Sequence, residues 1–233
     1  MNKKLTKLLV VVAKEPVPGK VKTRLSPELS PAIAADLYRC FLHDRIQESG
    51  TLNEVDRAIA YTPEDARETF TSLALDGFKL FAQQGENLGE RLNNIFCEKL
   101  SQGYKAVSIV DSDSPDLPKS IIKESFHLLS SKRAEVVFGP CRDGGYYLVG
   151  MRKPHPELFR DIPWSTENVL SVTLEKARKM GLNVKLLSSW NDLDTFEDLL
   201  EFYTKYKDRP LSKDCPGNKT FSFLSHLEKI YKH

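Results

Sequence analysis

Residues 7–13 read Lys-Leu-Leu-Val-Val-Val-Ala, a β-branched apolar run with no polar alternation. A strand of that kind needs cover on both faces, which a largely parallel sheet flanked by helices supplies. Shorter runs recur at 55–61, 78–82, 106–110, 134–138, 146–149 and 184–187. Between them the apolar residues shift to helical spacing. Ala34, Leu37, Tyr38, Phe41 and Leu42 follow Ser30-Pro31, an N-cap and first-turn pair. Leu88, Leu92, Ile95, Phe96 and Leu100 make a second amphipathic face. Further helices are predicted after Pro63 and over 119–129, 166–180 and 195–206, with a short one at 221–231. Strands alternating with helices predict an α/β sandwich with helices on both faces of the sheet. A chain of 233 residues reads best as one domain, and the polar tail after Pro210 is its only plausible appendage.

The longest unbroken apolar run, Leu8 to Ala13, is too short to cross a bilayer. Lys14 and Glu15 follow it rather than a cleavage site, so no secretory signal is expected. Cys40, Cys97, Cys141 and Cys215 are scattered and form no zinc-ligand spacing, which predicts reduced structural thiols in a cytoplasmic protein. Thirty-four Lys and Arg nearly balance 32 Asp and Glu, against a dedicated nucleic-acid surface. The balance is uneven along the chain. Residues 1–24 hold seven cations against Glu15 alone, a net of +6, which leaves −4 for the rest of a chain whose total is +2. That asymmetry predicts a local anion site.

The loop Lys-Glu-Pro-Val-Pro-Gly-Lys-Val-Lys-Thr-Arg-Leu, residues 14–25, directly follows the first strand. Ligands of open α/β sheets bind outside the carboxyl ends of strands. Gly19 permits close approach, and Lys14, Lys20, Lys22 and Arg24 could neutralise phosphate oxygens. A solvated basic loop is the competing reading. The loop is not a Walker A motif, because Lys14 and Val21 stand where that motif needs Gly and Ser or Thr. Asp111-Ser112-Asp113 leaves another buried strand and suits a divalent cation with oxygen ligands. Asp143-Gly144-Gly145 is either a site with exposed amides or a tight hairpin. Around 192–198, Asp194 or Thr195 could cap a helix, or Asp192 or Asp194 could share the metal of Asp111 and Asp113. Ser165 or Thr166 suits a helix cap, and Trp164 could line an acceptor pocket.

Six segments in this order resemble one group: AKEPVPGKVKTRL, GENLGERL, DSDSPDLP, GPCRDGGYYLVG, IPWST and DLDTFEDL. It is a bacterial group of glycosyltransferase-A-fold proteins described as nucleotide-diphospho-sugar transferases, similar to 2-phospholactate guanylyltransferases. The resemblance covers roughly residues 7–205. It implies a three-layer α/β/α sandwich around a mixed, mostly parallel seven-stranded sheet. The nucleotide half would span about 1–113, the acceptor half 114–206 and the tail 207–233.

It further implies that Ala13, Lys14, Gly19, Lys20, Lys22, Thr23, Arg24, Gly89 and Arg91 bind the nucleotide. Asp113 and Asp194 would hold Mg²⁺ or Mn²⁺. Gly144, Gly145, Tyr146, Trp164, Ser165 and Thr166 would face the acceptor, and Lys22, Arg24 and Asp143 would be catalytic. Asp111 stands where the group usually has Gly, so it is either an added metal ligand or an exposed acid. Asn87 stands where the group usually has Asp, which loosens any polar role of Glu90 and Arg91. The implied function is metal-dependent transfer from a nucleotide sugar. Nucleotidyl transfer from a nucleoside triphosphate to a phosphorylated small molecule is the alternative, and a non-catalytic nucleotide-binding protein the second. A small-molecule acceptor and no nucleic acid complete the expected partners, and homodimer formation stays open.

Overall fold

The computed structural model describes residues 6–208, 212 and 215–231. Lys3 and Lys4 of the basic segment and part of the stretch after Pro210 lie outside the described residues. The strands are β1 (Lys7–Lys14), β2 (Asp56–Thr62), β3 (Phe78–Ala82), β4 (Ala106–Val110), β5 (Val136–Pro140), β6 (Tyr146–Met151) and β7 (Val184–Leu186). They form one mixed sheet in the order β3-β2-β1-β4-β6-β5-β7. Only β6 runs against its neighbours β4 and β5; the other pairings are parallel.

The helices are α1 (Pro31–Gly50), α2 (Arg67–Leu73), α3 (Leu88–Ser101), α4 (Lys119–Ser130), α5 (Val169–Lys179), α6 (Phe196–Tyr206) and α7 (Asn218–Tyr231). Alternate residues of the central strands serve opposite layers. Leu8, Val10, Ala58, Ala60, Val107 and Ile109 pack towards α3 and α5. Leu9, Val11 and Val110 pack towards α4, and Ile59 and Tyr61 towards α1, α2, α6 and α7. Every residue of β4 is buried, so neither face of that strand keeps a polar stripe.

Ser30 caps α1 as its sequence predicts, its hydroxyl accepting from the Ile33 amide at 3.3 Å. The tail helix α7 starts three residues before the expected 221. It is tied down by the buried Asp44, whose carboxylate accepts from the Lys219 and Thr220 amides and the Thr220 hydroxyl. Phe221 stacks on Tyr203 with centroids 5.4 Å apart. One helix start is corrected. The cap expected at Ser165 or Thr166 is absent, and α5 begins only at Val169. Ser165 sits at φ 66°, and the Thr166 hydroxyl donates back to the Pro163 carbonyl, which closes a turn instead. No described helix is long and apolar enough to cross a membrane.

Candidate active site

The chain leaves β1 for β2 and β3 on one side and returns to β4 on the other. The crevice at that reversal lies beyond the carboxyl ends of β1 and β4, where ligands of open sheets bind. The basic loop fills its first rim. Buried Val21 and Leu25 anchor the loop on either side, while Lys14, Lys20, Thr23 and Arg24 stay exposed. Gly19 adopts φ 75°, and Lys22 takes the left-handed conformation at φ 49°, ψ 40°. That backbone turns the Lys22 side chain inward, leaving it only 4% exposed.

The second rim is acidic. The Asp111 amide donates to the Tyr147 carbonyl at 2.9 Å, and the Ser112 hydroxyl lies 2.7 Å from that of Tyr38. The Leu193 amide donates to the Asp113 carbonyl at 3.0 Å, drawing 192–194 alongside the end of β4. Asp113 and Asp194 thereby meet on one ammonium: Lys22 Nζ lies 2.5 Å from Asp113 Oδ1 and 2.7 Å from Asp194 Oδ1. Burial works to discharge Lys22, but the two carboxylates outweigh it and raise its pKa above the usual lysine value. Asp194 shows the converse. Burial alone would raise its pKa, and Lys22 with Arg24, 3.5 Å from Oδ2, holds it below the ordinary range.

Thr195 caps α6 in a full capping box with Asp198, so the segment serves capping and site together. Asp143 occupies the β5–β6 hairpin, its Oδ1 accepting from the Gly145 amide at 2.8 Å. Gly144 belongs to the turn itself. Its φ is 89°, and an added Cβ would lie 2.0 Å from the Glu167 carbonyl oxygen.

These pieces enclose a cleft with two lobes. One, about 570 Å³, is lined by Ala13, Lys14, Lys20, Lys22, Thr23 and Arg24, with Arg91 opposite. The other, about 410 Å³, is lined by Asp143, Gly145, Tyr146, Trp164 and Thr166. Arg24, Asp111, Asp113, Asp194 and Ser165 line both. The structure therefore brings together most residues predicted for the two substrates. It does not place Gly19, Gly89 or Gly144 on the walls. Gly89 serves packing, since a Cβ there would lie 2.4 Å from the Phe159 carbonyl.

Sequence reasoning missed Gln83, whose amide nitrogen donates to the Ala60 and Ala13 carbonyls at 2.7 and 3.3 Å and closes the wall of the 570 Å³ lobe. Its place directly after β3 was the available signal. It also missed Leu88, an exposed apolar side chain lining both lobes.

The carboxylates fit a divalent cation. Asp111 Oδ1 is buried with no hydrogen-bond partner, a demand an oxygen-ligated cation would meet. Burial, then Asp113 and Asp192, push the Asp111 carboxyl well above the usual range. Ligand atoms of Cys141, Asp143 and Asp192 lie within 4.8 Å of one another. Burial pushes the Cys141 thiol far up, so it is protonated and offers a hard cation little.

Burial, then Asp194 and Asp143, raise Asp192 to about 7 from an ordinary 3.8. Folded Asp192 thus keeps a proton that the unfolded chain has lost, and its contribution to stability falls as pH rises from about 4 to 7. Asp192→Asn is expected to flatten that part of the decline in melting midpoint; thermal melts of both proteins at pH 5, 6 and 7 check this. Parallel curves would contradict it.

Residues 45–166 match the family described as an uncharacterized protein conserved in bacteria, DUF2064. The 2-phospho-L-lactate guanylyltransferase of Methanothermobacter thermautotrophicus is 32% identical over 189 residues, 77% of each chain. The crystal structure of a candidate nucleotide-diphospho-sugar transferase from Desulfovibrio desulfuricans G20 superposes with a TM-score of 0.87 at 33% identity. That match covers 97% of this chain and 96% of the other. A cytidylyltransferase from Leptospira borgpetersenii shares the fold, with a TM-score of 0.53 at 16% identity over 98% and 94% of the two chains.

Proposed function

The chain belongs to the DUF2064 family, and from that premise we propose that it is a nucleotidyltransferase joining a nucleoside triphosphate to a phosphorylated small-molecule acceptor. The chain is an enzyme of the nucleotidyl- and sugar-transferase kind. Sequence motifs alone put transfer from a nucleotide sugar first; the similarity to a guanylyltransferase across 77% of both chains supports the nucleotidyl reading instead. The observation that carries it is the wall common to both lobes, where Arg24, Asp111, Asp113 and Asp194 stand between a basic loop and a second pocket.

In this reading the triphosphate lies along Lys14, Lys20 and Arg24, and the acceptor sits beside Asp143, Gly145 and Trp164. An acceptor phosphate oxygen attacks the α-phosphorus, the α–β bridging P–O bond breaks, and pyrophosphate leaves with the electron pair. Arg24 and the exposed lysines stabilise charge on the leaving group. Asp111, Asp113, Asp192 and Asp194 would hold the divalent cation, Mg²⁺ or Mn²⁺, which supplies charge neutralisation on the phosphates when bound. The free cysteines suit a reducing compartment such as the cytoplasm.

Thermal melts with nucleoside triphosphates and nucleotide sugars, each with and without Mg²⁺ or Mn²⁺, test the reading. A metal-dependent rise with a triphosphate, guanosine triphosphate first, is expected. A rise with nucleotide sugars alone would return the assignment to sugar transfer, and no rise at all would remove it.

A further inference from the structure

Among the basic residues of the loop, Lys22 alone lines the cleft with a side chain that is almost wholly buried. Its ammonium has three protons and three neighbours: Asp113 Oδ1 at 2.5 Å, Asp194 Oδ1 at 2.7 Å and the Phe41 ring, centroid 5.2 Å away. Nothing is left over to donate to a phosphate. The left-handed backbone at φ 49° is a conformation a lysine adopts at a cost, and here it delivers the amine between the two acids.

We infer that Lys22 is a positioning residue, a resident cation that holds Asp113 and Asp194 together and keeps this acidic wall from retaining a free divalent ion. The inference rests on the proposed nucleotidyl reading for its use, since a metal excluded when alone can still enter as its complex with a triphosphate. Without Lys22, the side chains of Asp111, Asp113, Asp192 and Asp194 would converge with only Arg24 and the buried Arg45 nearby, the latter spent on the Ser114 and Leu117 carbonyls, and such a cluster attracts any divalent ion. With Lys22 in place, an ion sharing Asp113 and Asp194 must settle beside a fixed positive charge. The resulting repulsion at a few ångströms weakens binding by roughly ten-fold or more. A metal–triphosphate complex carries net negative charge, so the same lysine, with Lys14, Lys20 and Arg24, draws it in.

The test measures binding of Mn²⁺ alone, without nucleotide, by the electron paramagnetic resonance signal of the free ion. Lys22→Met is expected to bind Mn²⁺ at least ten-fold more tightly than the unmodified protein, and Lys22→Arg to bind it as weakly. Lys22→Gln, neutral but still able to donate to a carboxylate, carries the same expectation as Lys22→Met and serves where the apolar variant does not fold. A merely structural lysine would lower the melting midpoint in these variants without tightening Mn²⁺. Unchanged or weaker Mn²⁺ binding in a folded neutral variant overturns the inference. Failure of the triphosphate melts would instead overturn the proposed function and leave the Mn²⁺ comparison standing.

Discussion

Arg24→Ala is expected to lower turnover by about 10²–10³-fold while leaving the melting midpoint where it is. The two halves of that expectation come from different features. The side chain is 58% exposed, and its contact with Asp194 Oδ2, at 3.5 Å, is a long one. Ion pairs so placed contribute about 0–1 kcal/mol. The loop does not depend on it either, because Val21 and Leu25 are buried and anchor the flanking backbone. Asp194 keeps its charge through Lys22, the larger of the two influences that lower its pKa. What is lost is a cation fixed where both lobes meet, which in the proposed reaction would face the charge developing on the leaving group. Pyrophosphate release measured beside a thermal melt separates the halves. A variant that turns over normally would take Arg24 out of the site, and one that melts early would make it structural.

The fold was legible because burial leaves a simple mark on these strands. β3 and β4 begin and end where their apolar runs do, and β1 runs one residue further, to Lys14. Errors arise where a polar side chain had two local uses. Thr166 could cap a helix or close a turn on Pro163, and only the placement of α5 against the hairpin, through the Leu170 amide on the Gly144 carbonyl, selects the turn.

The site divides in the same way. Strand-end placement points to the basic loop and to Asp111 and Asp113 without help from tertiary structure. The meeting of Lys22 with Asp194 spans 172 positions and depends on one left-handed backbone and one amide, Leu193, on the Asp113 carbonyl. No spacing rule encodes such a contact. A lysine in a run of cations reads as a phosphate ligand until the fold turns it round.

That contact changes what a second substitution should do. Sequence motifs alone suggest that Asp113→Ala, like Arg24→Ala, abolishes turnover in an intact fold. Asp113→Ala is expected to cost stability as well, because it strips one of two carboxylates from a buried ammonium. Removing one partner of a buried pair costs about 3–5 kcal/mol when the charge left behind is uncompensated. Here Asp194 still accepts at 2.7 Å and Asp113 is itself 37% exposed, which reduces the penalty. A loss of about 1–3 kcal/mol follows, read as a fall of roughly 2–4 °C in melting midpoint per kcal/mol.

The double variant Asp113→Ala with Lys22→Met tests the cause. Lys22→Met leaves Asp194 with Arg24 alone in either background, but after Asp113→Ala it also removes a half-compensated buried ammonium, so the second change should cost less there than in the parent. Residues in contact show such non-additivity, and independent ones do not. Denaturant unfolding of the parent, both single variants and the double variant completes the cycle. If the two losses simply add, Lys22 and Asp113 are not coupled in solution. If Lys22→Met costs less after Asp113→Ala and turnover stays lost, the stability cost belongs to the stranded lysine and the rate cost to the missing carboxylate.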